Sequence, residues 1–153
     1  MFYGCKSLKY PPELPATTLA KYCYSSMFQK SGLVVAPELP ATELAYGCYA
    51  HMFQDCLNLS ESPVLPATTL VQLCYHGMFS TARDLWPGKI SKITCMAIDI
   101  TATDCTKGWV FGAPSTGVFY RSPNFIWPRG ENGIPNYWRI DPPYPTDQEE
   151  DTI

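Results

Sequence analysis

The chain has 153 residues, a formal net charge of −3 at pH 7 and only 16% charged residues; that suits one domain with a sizeable core and leaves no basic footprint for nucleic acid or anionic lipid. Its apolar fraction of 46% is ordinary for a globular protein. No apolar run is long enough to span a bilayer, and the opening "MFYGCKSLKY" lacks the basic start and apolar stretch of a secretory signal.

One segment occurs three times: "LPATTLAKYCYSSMF", "LPATELAYGCYAHMF" and "LPATTLVQLCYHGMF" begin at Leu14, Leu39 and Leu65, 25 and 26 residues apart. Upstream of each copy stands a second constant element, Leu8, Leu33 and Leu59, placed four residues before Pro12, Pro37 and Pro63. Pro12 and Pro15 exclude a helix interior and limit the extended pieces to few ladder bonds. The spacing predicts short parallel strands near residues 8–14, 33–39 and 59–65. In the first copy Leu19, Tyr22, Cys23 and Met27 fall at i, i+3, i+4 and i+8, which predicts a helix with one apolar stripe beginning near Thr17, and likewise near Thr42 and Thr68. Such a unit cannot bury its stripe alone, so stacked units sharing a continuous core are expected. The usual strand–crossover–strand rule makes that solenoid right-handed.

Phe2, Cys5 and Leu8, and again Phe53, Cys56 and Leu59, combined with the Pro corner of "APELPATTLA", resemble the BspA-like leucine-rich repeats of bacterial surface proteins. The middle copy departs from that pattern, with Lys30 or Ser31 where the Cys would stand. With the resemblance, the expected fold class is α/β: a leucine-rich-repeat solenoid with short parallel strands, short helices and an irregular β-rich C-terminal cap. Residues 1–85 carry the repeats.

Phe79 and Leu85 keep the six-residue spacing into a fourth unit, which breaks at "WPGKIS", where Pro87-Gly88 signals a turn. A faded copy returns in "ITATDCTKGWV", with Ile100, Thr103, Cys105 and Trp109 expected to replace Leu14, Thr17, Leu19 and Cys23. "KITCMAID" reads as its strand, and "TGVFYRS" and "YWRI" as further strands. Residues 86–140 form the expected degenerate repeat and cap, a tail that resembles, less closely, C-termini following such repeats in gut Bacteroides-type proteins. Residues 141–153, "DPPYPTDQEEDTI", read as an acidic Pro-rich tail. Met1 coincides with the repeat's own Met27, Met52 and Met78, so the chain opens within a unit, as a fragment of a longer array would.

Cys23, Cys48 and Cys74 share one repeat position on the expected buried helical face, and Cys5 and Cys56 another. Neighbouring helix axes about 8–10 Å apart are too distant for a bond needing Cα atoms about 5.5–6 Å apart, so free buried thiols are expected. No CxxC occurs, and neither a metal site nor any cofactor is expected. His51 and His76 read as surface or helix-end residues without a nucleophile and acid to serve. Asp99 and Asp104 fit a turn and a cap. Tyr24, Tyr49 and Tyr75 form a column with hydroxyls expected at the rim, whereas Trp109, Trp127, Tyr137 and Trp138 crowd the C-terminal part and, where exposed, would suit protein or glycan contacts.

No motif favours an enzyme. Strand alternation sends Pro11 and Glu13, Ala36 and Glu38, and Ser62 and Val64 outward as the expected ligand-facing residues. With the resemblance, these imply a non-enzymatic binding or adhesion module of a bacterial cell-surface protein, extracellular, taking a protein or glycan ligand. A structural or assembly component of a phage tail or cell-envelope fibre is the alternative, because an open N-terminal repeat edge invites self-association.

Overall fold

A computed structural model describes residues 1–82 and 88–144. Leu85 of the expected fourth unit, Pro87 of the expected Pro87-Gly88 turn and residues 145–153 of the Pro-rich tail lie outside the described residues.

The chain winds as a stack of coils, each an extended Pro-rich stretch followed by a long run of turns. The coils are joined on one side by a single four-stranded sheet, all parallel, in consecutive order: β1 (Glu61–Leu65), β2 (Lys92–Cys95), β3 (Val118–Arg121) and β4 (Arg139–Asp141). Strands β2 and β3 fall within the stretches "KITCMAID" and "TGVFYRS", and β4 overlaps "YWRI" and runs one residue past it, to Asp141 of the expected tail. Of the three Pro-rich segments, however, only the third pairs as a strand. Residues 8–14 and 33–39 do not pair as strands, and Val34 N–H to Lys9 O at 2.9 Å is a backbone bond between these two segments. The prolines are the reason, since each removes a ladder donor. In β1 the sheet tolerates Pro63 through an irregularity between Glu61 and Val64, where the Ser62 Oγ accepts the Thr94 N–H at 3.1 Å in place of a backbone carbonyl.

The expected helices are absent: no described residue is helical. In their place runs a series of overlapping β-turns whose N–H groups alternate in direction. Cys23, Ser25, Met27, Gln29 and Ser31 donate to the carbonyl three residues back, at 3.0–3.2 Å. The intervening Tyr22, Tyr24, Ser26, Phe28 and Lys30 donate across to Tyr46, Cys48, Ala50, Met52 and Gln54 of the next coil, at 2.9–3.0 Å. Every fourth residue has a left-handed backbone: Tyr22, Ser26 and Lys30 in one coil, Gly47, His51 and Asp55 in the next, then Leu73 and Gly77, then Asp104, Gly108 and Gly112. A helix of this length is marginal by itself and keeps its N–H groups within the segment; the turn run instead directs half of them along the stack, so coils are hydrogen-bonded on both sides of the core.

The repeat of this backbone is four residues, and the side chains follow it. Tyr and Phe positions form two columns of nearly parallel, stacked rings. Tyr24, Tyr49 and Tyr75 stack at 6.1 Å, and Phe2, Phe28, Phe53 and Phe79 at 5.6–5.9 Å. The Tyr hydroxyls are not all at a rim, as expected from sequence: Tyr75 is fully buried and its Oη has no hydrogen-bond partner among the described residues. Both columns end on Trp109, which stacks on Tyr75 at 5.9 Å, meets Phe79 at 6.1 Å and stacks on Trp127 at 5.5 Å.

The faded copy sits in a different register from the one read in the sequence. Cys95 pairs with Leu65. Tyr75 donates to Cys105 O as Tyr49 does to Cys74 O, and Phe79 donates to Trp109 O as Phe53 does to Met78 O. Cys105 therefore occupies the Cys74 position and Trp109 the Met78 position. One residue is inserted between Ile100 and Asp104 relative to Leu70 and Leu73, which shifts the alignment. Thr106 and Val110 stand where Tyr and Phe would, and the indole of Trp109 between them fills both columns.

Residues 129–134 then cover the outer side of this last turn run. Thr106 Oγ1 donates to Asn132 O at 2.8 Å, Gly108 N–H to Asn132 Oδ1 at 2.7 Å, and Trp109 Nε1 to Gly133 O at 2.8 Å. Arg121, buried at an inward position of β3, anchors the chain beyond β4. Its guanidinium donates to the carbonyls of Ser122, Phe125, Pro142 and Pro143 at 2.8–3.2 Å and lies 4.3 Å from the Tyr144 ring centroid. Among the described residues four carbonyls and an aromatic face balance this buried charge without a carboxylate.

Candidate binding face

The six residues expected to face a ligand all lie on the Pro-rich side of the stack. Glu13, Glu38 and Val64 are exposed, and Pro11, Ala36 and Ser62 are half-buried. Strand register extends the Val64 column beyond them and adds a second outward column that starts at Glu61. Val64 pairs with Thr94, Thr94 with Tyr120 and Tyr120 with Asp141, while Glu61 pairs with Lys92, Lys92 with Val118 and Val118 with Arg139. The face therefore runs from the carboxylates of Glu13 and Glu38 on the first coils, through an exposed valine, to a mixed polar and aromatic strip on β2–β4.

Two adjoining grooves of about 500 and 410 Å³ mark the first three coils. Both are lined by Pro37, Glu38 and Pro40; the larger continues to Pro11 and Glu13, and the other to Ala36 and Val64. Among the described residues no cation or hydrogen-bond donor pairs with Glu13 or Glu38. Ser62 differs from its equivalents, because its hydroxyl is engaged in the sheet with Thr94. Further along, Lys92 lies 3.8 Å from Glu61 and 5.2 Å from the Tyr120 ring centroid, which ties those side chains across the strands.

The remaining sequence candidates are dispersed. All seven cysteines are free. Five are buried, but Cys5 and Cys23, in the outermost coil, are exposed, contrary to the expectation of a buried face. The reasoning from helix axes fails with the helices. Packing still explains the five: Cys56 Sγ donates to Phe28 O at 3.0 Å and lies 3.5 Å from Ser31 Oγ, the residue that replaces cysteine in the middle copy. Burial pushes the Cys48 thiol up to about 11 and Cys95 to about 12, so neither provides a nucleophile at neutral pH. Titration of the native protein with an aromatic disulfide reagent should release two equivalents quickly, from Cys5 and Cys23, and the other five only on unfolding. Reducing agent should leave the melting temperature unchanged.

His51 and His76 lie edge to face with ring centroids 5.0 Å apart, a pair brought together by the stacking. His51 Nδ1 is 2.7 Å from Gln54 Oε1, whereas His76 Nδ1 is buried and without a partner among the described residues. Burial, then the neighbouring His51, lower the His76 pKa from its ordinary 6.5; Lys107 acts in the same direction and Asp104 opposes. The fold therefore favours neutral His76, while the unfolded chain takes up a proton near 6.5. This contribution to stability is complete above that value and is lost as pH falls through the lower folded pKa. Melting temperature should decline as pH falls below about 6.5, and His76→Gln should flatten the decline. Among the described residues no hydrogen bond links either imidazole to an acid or a nucleophile. Among the described residues no cluster of three His, Cys, Asp or Glu side chains could hold a metal ion, and no helix is long and apolar enough to cross a membrane.

Asp99 Oδ1 accepts from both the N–H and the hydroxyl of Thr101, which makes it a turn residue and holds its carboxyl below the usual range. No protein-family model, curated protein or solved structure matches the chain.

Proposed function

We propose that the chain is a non-enzymatic binding module from a bacterial cell-surface protein of the leucine-rich-repeat class, BspA-like in its repeat, and that it engages a protein ligand across the outward face of its parallel strands. The observation that carries this reading is the continuity of that face. Glu13, Glu38, Val64, Thr94, Tyr120 and Asp141 follow one another on successive coils, with unpaired carboxylates at one end and grooves between proline rings beneath them. A periodic surface of this kind offers many similar contacts over an extended area, as binding by solenoids requires. The Phe–Cys–Leu spacing and Pro corner support the class, and the extracellular location follows from the same resemblance.

Display of the chain on a non-adherent bacterium tests the reading. The wild type should confer attachment to cultured epithelial cells, and the triple variant Glu13→Lys/Glu38→Lys/Val64→Asp should lose it while keeping the wild-type melting temperature. Equal attachment by both, or none by the wild type, would overturn the assignment. A second reading, assembly into a fibre, draws on the exposed Met1, Tyr3 and Tyr10 of the outermost coil. It predicts association that rises with concentration in sedimentation and weakens in Tyr3→Ser/Tyr10→Ser.

A further inference from the structure

Beyond β3 one tyrosine adopts a backbone suited to glycine and has no packing to compensate. Trp138 N–H donates to Pro135 O at 3.3 Å, closing a turn whose third residue is Tyr137, with φ at 70°. Positive φ at this place belongs to the type II turn, where glycine is the favoured occupant. A bulky residue there is strained. Three further left-handed residues have compensating contacts: Tyr22 packs on Tyr46 at 5.3 Å, His51 is hydrogen-bonded to Gln54, and Asp55 Oδ1 accepts the Ala82 N–H at 3.0 Å. Tyr137 is 89% exposed, and among the described residues its side chain makes no hydrogen bond or ring contact. Strain retained for a side chain that does not stabilise the fold points to a role outside the fold.

The ring borders a shallow groove of about 260 Å³. Gly112 and Gly130 contribute bare backbone to it, and Ser115, Glu131 and Asn136 contribute polar groups. This lies near the roughly 300 Å³ lower end of small-molecule pockets, and its mixture of one flat aromatic face with a polar surround is that of a small amphipathic ligand. A pyranose ring has this complementary character, with a C–H face that stacks on an aromatic ring and hydroxyls at its edge that reach polar groups. We infer that Tyr137 and this groove form a carbohydrate-binding subsite that stacks a single pyranose ring. The site lies away from the Pro-rich face and stands independently of the adhesion reading.

The test uses hexasaccharides of β-1,4-glucan, α-1,4-glucan and β-1,3-glucan, followed by saturation-transfer NMR and calorimetry on the full chain. At least one should bind saturably at millimolar concentration or below. Tyr137→Phe should retain that binding. Tyr137→Gly removes no packed contact and supplies the residue the turn favours, so its melting temperature should stay level or rise while affinity falls by at least about tenfold. Three results would overturn the inference: no saturable binding by any of the three sugars, undiminished binding in Tyr137→Gly, or a lowered melting temperature in that variant. The last would show that the ring serves the fold.

Discussion

Replacing Trp109 with alanine should destabilise the protein by about 4–8 kcal/mol, the largest effect expected of any single change here. The indole is fully buried and ends both aromatic columns, touching Tyr75, Phe79, Phe119 and Trp127. Truncation of a core tryptophan costs about 3–5 kcal/mol through lost transfer energy and residual cavity. Loss of the Nε1 bond at 2.8 Å also leaves the Gly133 carbonyl without its donor, at about 1–3 kcal/mol more. Against a typical total of about 5–15 kcal/mol, that approaches global unfolding. Trp109→Phe keeps an aromatic surface and should cost roughly half as much. Denaturant titration reads both. A loss below about 2 kcal/mol for Trp109→Ala would mean that the columns do not depend on this residue.

Gly77→Ala should cost about 2–4 kcal/mol, and His51→Ala in the same chain should recover part of it. Gly77 has φ at 60°, and a Cβ built there would lie 2.5 Å from His51 Nδ1 and 2.8 Å from its Cε1. The same relation recurs one coil earlier, where a Cβ on Gly47 would meet the Tyr22 ring at 2.4 Å. At these two places a left-handed ring-bearing side chain lies over the next coil's left-handed residue, and glycine there leaves the ring its space. The backbone share, about 1–2 kcal/mol, persists in the double variant, while the steric share vanishes with the imidazole. A coupling of about 1–2 kcal/mol in the double-mutant cycle is therefore expected. Strictly additive effects would show that His51 does not fill that space.

The missed helices have a definite cause. Cys23 and Met27, Cys48 and Met52, Tyr49 and Phe53, and Tyr75 and Phe79 are each four residues apart. A four-residue repeat and a 3.6-residue helix differ by only 10° per residue, too little to separate over two turns. A distinguishing signal was present in Gly47, Gly77 and the series Asp104, Gly108 and Gly112: residues tolerant of positive φ at four-residue intervals, where a helix would disfavour them. The outward positions of Glu13, Glu38 and Val64 were legible because extended chain alternates whatever its hydrogen bonding. Tyr137 as a strained, solvent-facing residue was not, because nothing in "IPNYW" states the sign of φ.

Repetition in the sequence by itself determined that like residues would stack on like, coil above coil, and strand-forming runs near the C-terminus determined where β2, β3 and β4 would pair. Neither depends on the local conformation between them, since identical units bury identical faces only when stacked in register. The tertiary structure alone decided the path of the "LPAT…MF" segment. A helix and a run of turns satisfy the same apolar spacing, and the neighbouring coil selects between them by accepting the N–H groups that a helix would retain. It likewise decided that Trp109 closes both columns, because the inserted residue before Asp104 changes which side chains meet, and only contact between coils reveals that register.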